Sequence, residues 1–428
     1  MRKVARTTVR RRWRVAGSCV LALLALTVMA CSDDADPAVD RSLGTVLVSE
    51  GEAIQIRALL YISSEGGSGH ANLRTVRLAV EHYGPIAGFD VHVGVALNDR
   101  CSPDGGRGAA ETIISDRDVV GVIGTSCSVA AVEAAPLLTG AGMVLISPSN
   151  TSPTLTSDLA GNPSEHHHSG YYRTAHNDLH QGEAVAHFLR REHGIGTAAA
   201  VHVGDVYTRS LAEAFASAFE RLGGEITTLR EVGSAETDMA PALAGIALGS
   251  PEALFLPVSQ AVGESIVQQA PDVAGMEDVL LITADGLLAD DFMMQPETEG
   301  LFFSGPAIDF GDNRNQSTGR SATRILADYE DSYGAPPNSA FWGHAYDATT
   351  LLLEAIEASS EAVYGGLRID RAALRRHLDA VAGYGGVIGD INCDGFGDCG
   401  VPTIAVIEHL DATDIPASRV NTVYEYAP

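Results

Sequence analysis

The feature that most constrains this chain is a repeated alternation of short apolar runs with amphipathic segments. The runs IQIRALLYI, FDVHVGVAL, VVGVIG and GMVLIS are strand-like, while NLRTVRLAVEHYG and VAAVEAAPLLTGAG between them carry helical spacing. A second series begins after YYRTAHNDLHQGEAVAHFLRREHG. Its strand-like runs TAAAVHVGD, EITTLREV, EALFLPV and DVLLITA alternate with the helical TRSLAEAFASAFERLGG, DMAPALAGIALG and AVGESIVQQA. One further strand, LFFSGPA, and three helices near 319–333, 341–359 and 370–382 precede a β-rich end. Strand–helix alternation of this kind means parallel sheets wrapped by helices, an α/β fold. About 375 residues beyond residue 52 exceed one ordinary core, which predicts two lobes.

The N-terminus has a separate purpose. MRKVARTTVRRRWR holds seven basic residues and no acid, and the apolar VAGSCVLALLALTVMA follows, ending at Cys31. This is a secretory signal over residues 1–30, too short and wrongly flanked to persist as a membrane span. Val28, Met29 and Ala30 before Cys31 resemble a bacterial lipobox, so Cys31 is the expected lipidation site and 31–52 a lipid-anchored tether. The arginines also loosely suit a twin-arginine exporter. The expected location is therefore periplasm-facing and membrane-anchored, with membrane contact through the lipid alone and inner or outer membrane left open. Loss of 1–30 takes the formal charge from −27 to about −34, which argues against a nucleic-acid partner. Of six cysteines, Cys101, Cys127, Cys393 and Cys399 remain for an oxidising compartment. Cys101 and Cys127 each follow a predicted strand, and Cys393 and Cys399 would close a tight loop, so the expected disulfides are 101–127 and 393–399. The alternative, a metal–thiolate site, lacks a CxxC spacing.

Residues 119–156, VVGVIGTSCSVAAVEAAPLLTGAGMVLISPSNTSPTLT, contain two apolar runs that each end in small hydroxyl residues before a helical stretch. In an open parallel sheet, ligands bind beyond the carboxyl ends of the strands, where helix N-termini and free loop amides gather. Hydroxyls and amides of GTSCS and SPSNTSP would converge on one anionic group, most simply a carboxylate, with Pro153 suited to a first helical turn. The plain alternative is that Ser128 and Thr151 only cap helices.

Several motifs together make the chain resemble the type I periplasmic binding proteins of branched-chain amino acid ABC transporters. LNDRC, VIGTSCS and ISPSNTSPTLT resemble that family's acidic segment and its two strand tips. YYRTAHNDLHQG resembles its R-T-x-x-x-D-x-x-Q-G crossover, and GDVYTRSLAEAF its D-x-x-Y-G segment. The resemblance implies two doubly wound lobes with a three-crossing hinge near residues 174, 301 and 385. Lobe 1 would comprise 53–174 plus 302–385, and lobe 2 175–301 plus 386–428. It implies that Ser128, the main chain near Ser149 and Asn150, and Thr151 bind the α-carboxylate and α-ammonium of a ligand, probed from the second lobe by Tyr207 and by Asp285 as the ammonium's partner. It supports joining Cys101 to Cys127. It further implies a small-molecule ligand, an amino acid above all, and an ABC permease as partner. Tyr207 could instead simply pack, and Asp285 simply cap a helix. The first loop, YISSEGGSGHANLR, departs from the family pattern and leaves Ser63, Ser64 or His70 to face the pocket.

Two features stand apart. GDINCDGFGDCG places Asp390, Asn392, Asp394 and Asp398 in D-x-N-x-D-G-x-x-D order, the oxygen spacing of a calcium loop, but Val401 stands where its closing Glu belongs. The segment also resembles aspartate-rich thrombospondin type 3 repeats, whereas the binding-protein family has a plain hairpin there; calcium would be structural, and no cofactor is otherwise required. The triplet His166, His167 and His168 reads as a solvated loop rather than a metal site. No G-x-S-x-G, H-E-x-x-H or phosphate-cradling loop is present, so the chain is not expected to be an enzyme. A non-transport alternative is a ligand-sensing or envelope-organising lipoprotein with the same clamshell fold.

Overall fold

A computed structural model describes residues 43–62 and 67–428. The signal segment, Cys31, most of the expected tether, and Ser63 and Ser64 lie outside the described residues. No helix among the described residues is long and apolar enough to cross a membrane.

The first apolar series forms one parallel sheet. Its strands run in the order Val91–Val93, Ile54–Leu60, Val119–Gly124, Val144–Ser147 and Tyr171–Arg173, with Leu97–Asn98 pairing to the end of Ile54–Leu60. Val119–Gly124 and Val144–Ser147 are buried at every position, as strands covered on both faces must be. Side chains alternate between the two covering layers. Val144 and Ile146 face a core shared with helix Trp342–Ala358, and Leu145 faces a core shared with helix Ser128–Gly140.

The second series builds a seven-stranded sheet. Its order is Thr422–Tyr426, Ile404–Glu408, Phe302–Pro306, Leu280–Thr283, Ala253–Leu256, Thr197–His202 and Glu225–Glu231. All neighbours are parallel except where Ile404–Glu408 pairs with Phe302–Pro306 and with Thr422–Tyr426. Leu254 and Leu256 serve one layer and Ala253 and Phe255 the other.

Three expected boundaries need correction. Phe302–Pro306, expected to open the return to lobe 1, is an interior strand of the second sheet. Residues 386–400, assigned to lobe 2, belong with the first: Val387, Ile388, Ile391 and Cys399 share a core with Trp342 and Tyr346. Crossings therefore fall after Pro306 and just before Ile404 rather than near 301 and 385. Both errors have one cause, because an apolar run carries no local mark of which sheet it will join. The tether also ends earlier than expected. Thr45–Ser49 is a strand paired antiparallel with Gly366–Asp370, which in turn pairs with Ser360–Val363.

That short strand shows how strictly period-two burial operates here. Val46 and Val48 are buried, whereas Leu47 is 59% exposed. Val48→Asp places an uncompensated charge in the core and should cost roughly 3 kcal/mol or more. Leu47→Asp, one residue away on the opposite face, should stay within about 0.5 kcal/mol of the parent. Urea midpoints of the two variants check the register.

Candidate functional site

Two neighbouring strand tips begin the site. Val119–Gly124 ends at Gly124, whose φ of +145° and Cβ position, 1.9 Å from the Leu59 carbonyl oxygen, admit no side chain. The chain then turns through Thr125, Ser126 and Cys127 into helix Ser128–Gly140. At the adjacent tip, the Ser147 hydroxyl donates to the Thr125 carbonyl (2.8 Å) and accepts from the amides of Ser149 (3.2 Å) and Asn150 (2.9 Å). The Ser149 hydroxyl donates to the Ser126 carbonyl (3.1 Å), and the Ser152 amide donates to the Ser128 hydroxyl (3.3 Å). Hydroxyls thus bind the two tips to one another. Asn150, Thr151 and Ser128 are buried. Asn150 Oδ1 accepts from Thr125 and Tyr171, while its Nδ2 has no partner.

Two details depart from the sequence reading. No regular helix follows the second tip; Pro153–Leu155 is a single 3₁₀ turn, because TSDLAGNPSEHHHSG offers no apolar period to bury. Part of the anion-binding capacity at the first tip is also occupied internally. Asp99, from LNDRC, accepts from the amides of Ser126 (2.6 Å), Cys127 (3.3 Å) and Cys101 (2.9 Å). Burial raises its pKa, against the lowering pull of those amides. The disulfide Cys101–Cys127, Cα–Cα 5.1 Å, holds the same segments together, and Cys393–Cys399 forms the second pair. His70 lies half-buried in the first turn of helix Ser68–Tyr83.

The opposing wall comes from the second sheet. Asp205 accepts from the amides of Tyr207 and Thr208 at the start of helix Thr208–Arg221. The Tyr207 hydroxyl donates to Asp285 Oδ1 (2.8 Å) and accepts from the Gly286 amide (3.1 Å). Asp285 opens a 3₁₀ turn after strand Leu280–Thr283. The Ser152 hydroxyl spans between the walls, donating to the Val206 carbonyl (2.7 Å) beside Ser210 (3.2 Å).

Between these walls runs the crossover, which contributes residues that the motif reading passed over. Asp178 heads helix Asp178–His187, and its amide donates to the Thr151 carbonyl (2.9 Å). Its carboxylate is wholly buried, and neither oxygen reaches hydrogen-bond geometry with a protein group. Burial, then the charge of Asp285, pushes its pKa well above the carboxylate range, with the nearby Thr151 hydroxyl a partial offset. Asp285 is raised by burial too, against the hydrogen bond from Tyr207. His176 is equally buried, with its pKa lowered to about 4 by desolvation. Together His176, Asp178 and Asp285 offer three atoms within 4.8 Å of one another, the one such group among the described residues. Asp178 is present in the crossover motif, but only tertiary structure reveals that it is unpaired.

The calcium reading does not fit. Asp398 is committed to Arg173, Asn177 and Thr156; Asp394 Oδ1 accepts from the amides of Phe396 and Asp398, and its Oδ2 from Ser157; Asn392 Oδ1 accepts from the Gly383 amide. Asn392, Asp394 and Asp398 therefore spend side-chain oxygens on internal donors, and Asp390, Asp394 and Asp398 do not gather into a three-acid cluster among the described residues. His167 packs edge-on against Phe396, with centroids 5.5 Å apart.

Asp398 instead anchors the site. Arg173 is fully buried and all of its donors are used: Nε and Nη2 on Asp398 (3.3 and 2.6 Å), Nη2 on Thr156 (2.7 Å), Nη1 on the carbonyls of Ser152 (2.7 Å) and Asn150 (3.3 Å). Burial raises the Asp398 pKa, but Arg173 outweighs it and the net shift is downward. A carboxylate with a depressed folded pKa stabilises above its unfolded value, about 3.9, and loses that contribution as pH falls through the folded value. Asp398→Ala strands a buried guanidinium and should cost about 3–5 kcal/mol at pH 7. The gap between parent and variant should close below about pH 4, as read by chemical denaturation across pH.

The pattern of the family described as "Periplasmic binding protein" matches residues 54–398. An "Amino acid binding protein" of Pseudomonas aeruginosa is 26% identical over 129 residues, 30% of this chain, and there the chain spans only 32% of the relative's length. A "Leucine-, isoleucine-, valine-, threonine-, and alanine-binding protein" of the same organism is 22% identical over 283 residues, 63% of this chain and 68% of the relative. Among solved structures, the leucine binding protein LivK of Thermotoga maritima superposes with a TM-score of 0.73 at 22% identity, covering 88% of this chain and 99% of that one. Family and structural neighbours are solute-binding proteins, not enzymes. The match over residues 54–398, together with two sheets joined by three crossings, shows that this chain belongs to the periplasmic binding protein family.

Proposed function

We propose that this chain is the substrate-binding lipoprotein of an ABC importer and captures a small amino acid between its two sheets. The observation that carries the reading is the meeting of polar strand tips around Ser128, Ser149, Asn150 and Thr151, opposite Tyr207 and Asp285. In this reading the hydroxyls of Ser128 and Thr151 and nearby amides hold the ligand carboxylate. Asp285, oriented by Tyr207, pairs with the ammonium, since a buried cation requires a partner. Names of relatives that bind leucine, isoleucine, valine, threonine and alanine support the ligand class.

Function follows from two-sided contact. A ligand that touches both walls favours the closed arrangement by its differential affinity. Closure excludes water and strengthens each charge-paired contact. The permease in the inner membrane would read that closed state, while Cys31 would tether the protein to a membrane through its lipid.

A thermal-shift screen of the mature chain against amino acids, small carboxylates and amides tests the reading. An amino acid should raise the melting temperature, and Asp285→Asn, close in shape to the parent, should weaken its binding about tenfold or more, equivalent to at least about 1.4 kcal/mol. Ser128→Ala should weaken it in the same direction. An amino-acid hit indifferent to both changes would remove this site assignment.

A further inference from the structure

The small loop near the C-terminus, CDGFGDC over 393–399, is shut by one disulfide and carries two aspartates that grip the site from outside. Asp394 follows the first half-cystine and Asp398 precedes the second. Asp398 holds Arg173, Asn177 and Thr156, and Asp394 Oδ2 accepts from Ser157 (3.0 Å). The backbone docks there as well. The Arg173 amide donates to the Gly397 carbonyl and the Cys399 amide to the Arg173 carbonyl, each at 3.0 Å. Gly397, at φ +81°, lies so close to Tyr171 that a Cβ would stand 2.1 Å from the Tyr171 carbonyl oxygen.

All of these contacts require a short stretch with two glycines to hold one shape. Glycine gives up more conformational freedom on ordering than any other residue. A cross-link between the ends of the loop removes much of that freedom beforehand. With the bond open, Asp398 has to order residues 393–399 before it reaches Arg173, whose guanidinium also carries the Asn150 and Ser152 carbonyls of the second strand tip. The two sulfurs are unequally placed. Cys399 is fully buried, whereas Cys393 is half-buried, so an incoming thiolate meets Cys393 Sγ.

We propose that the Cys393–Cys399 disulfide is a thiol-exchange site that switches the hold of Asp398 on Arg173, so that the second strand tip is fixed only while the bond is closed. A thiolate attacks Cys393 Sγ and forms a mixed disulfide as the Cys393–Cys399 bond breaks; Cys399 leaves as its thiolate and takes a proton from water. A second thiol then displaces Cys393. Two electrons have passed to the original bond, and the two incoming thiols leave joined as a disulfide. The switch depends on the Arg173 anchor and on no particular ligand. It ties the order of the cleft to an oxidising compartment, where such bonds persist.

Two measurements on the full mature chain test the switch. Glutathione is the thiol probe, and mass spectrometry after acid quenching should find the adduct of this pair on Cys393 and none on Cys399. Amide hydrogen exchange reads the site. Cys393→Ser with Cys399→Ser leaves Cys101–Cys127 in place and should speed exchange at Ser152, Thr156 and Asp178 about tenfold, with strand Ile54–Leu60 unchanged. Asp398→Asn should have about the same effect, and adding it to the cysteine changes should bring little more, because both remove one linkage. Glutathionylated parent protein in which Cys101–Cys127 is still closed gives the same reading without any substitution. An adduct on Cys399, faster exchange confined to 393–399, or two effects that multiply to about a hundredfold would each overturn the switch.

Discussion

The structure turns on one buried ion pair. Arg173 sits at the end of the last strand of the first sheet, where the chain leaves for the second, and its five N–H donors are distributed over three separate stretches of chain. Two carbonyls, those of Asn150 and Ser152, belong to the second strand tip; Thr156 follows the 3₁₀ turn; Asp398 comes from the small disulfide loop near the C-terminus. A guanidinium in a fully buried position is tolerable only when every donor is met. Satisfying it obliges a site loop, a crossover and a remote loop to occupy fixed relative positions. Asn177, which caps the crossover helix through Oδ1, donates to Asp398 through Nδ2 and ties the helix start to the same anchor.

The cleft inherits its electrostatics from that arrangement. Arg173 is engaged by Asp398 and only partly offsets the charge of the carboxylate beside it, Asp178. Burial, then the charge of Asp285, raises the Asp178 pKa by more than Arg173 and Thr151 lower it. Asp178 and Asp398 differ sharply, although both are buried and both lie near Arg173. One is paired in bidentate fashion and held low, and the other faces Asp285 and is driven high. Binding sites commonly hold groups whose preferred partner is supplied by the ligand. A carboxylate oxygen with no protein donor, buried where two walls meet, has that character.

Much of this was readable from residue order, but unevenly. Alternating apolar and helical segments specified parallel sheets, since a strand covered on both faces has no polar positions and Val119–Gly124 has none. The hydroxyl clusters marked two strand tips because Ser, Thr and Asn meet backbone groups that no regular element satisfies there. Spacing misled where partnership is nonlocal. The D-x-N-x-D-G-x-x-D order of 390–398 matched a calcium loop, yet Asp398 finds Arg173 across 225 residues. Phe302–Pro306 reads as any strand would, and only its insertion between Leu280–Thr283 and Ile404–Glu408 assigns it to the second sheet.

What residue order determined by itself is the set of local elements and the chemical character of their ends, because periodicity and capping are short-range properties of the backbone. The tertiary structure alone decided which carboxylates are paired with a buried cation and which are not. Asp178, Asp285 and Asp398 are the same residue type in comparable surroundings. Their states differ because Coulomb energy in a desolvated interior depends on which charge lies within a few ångströms, and that distance is set only when the chain closes on itself.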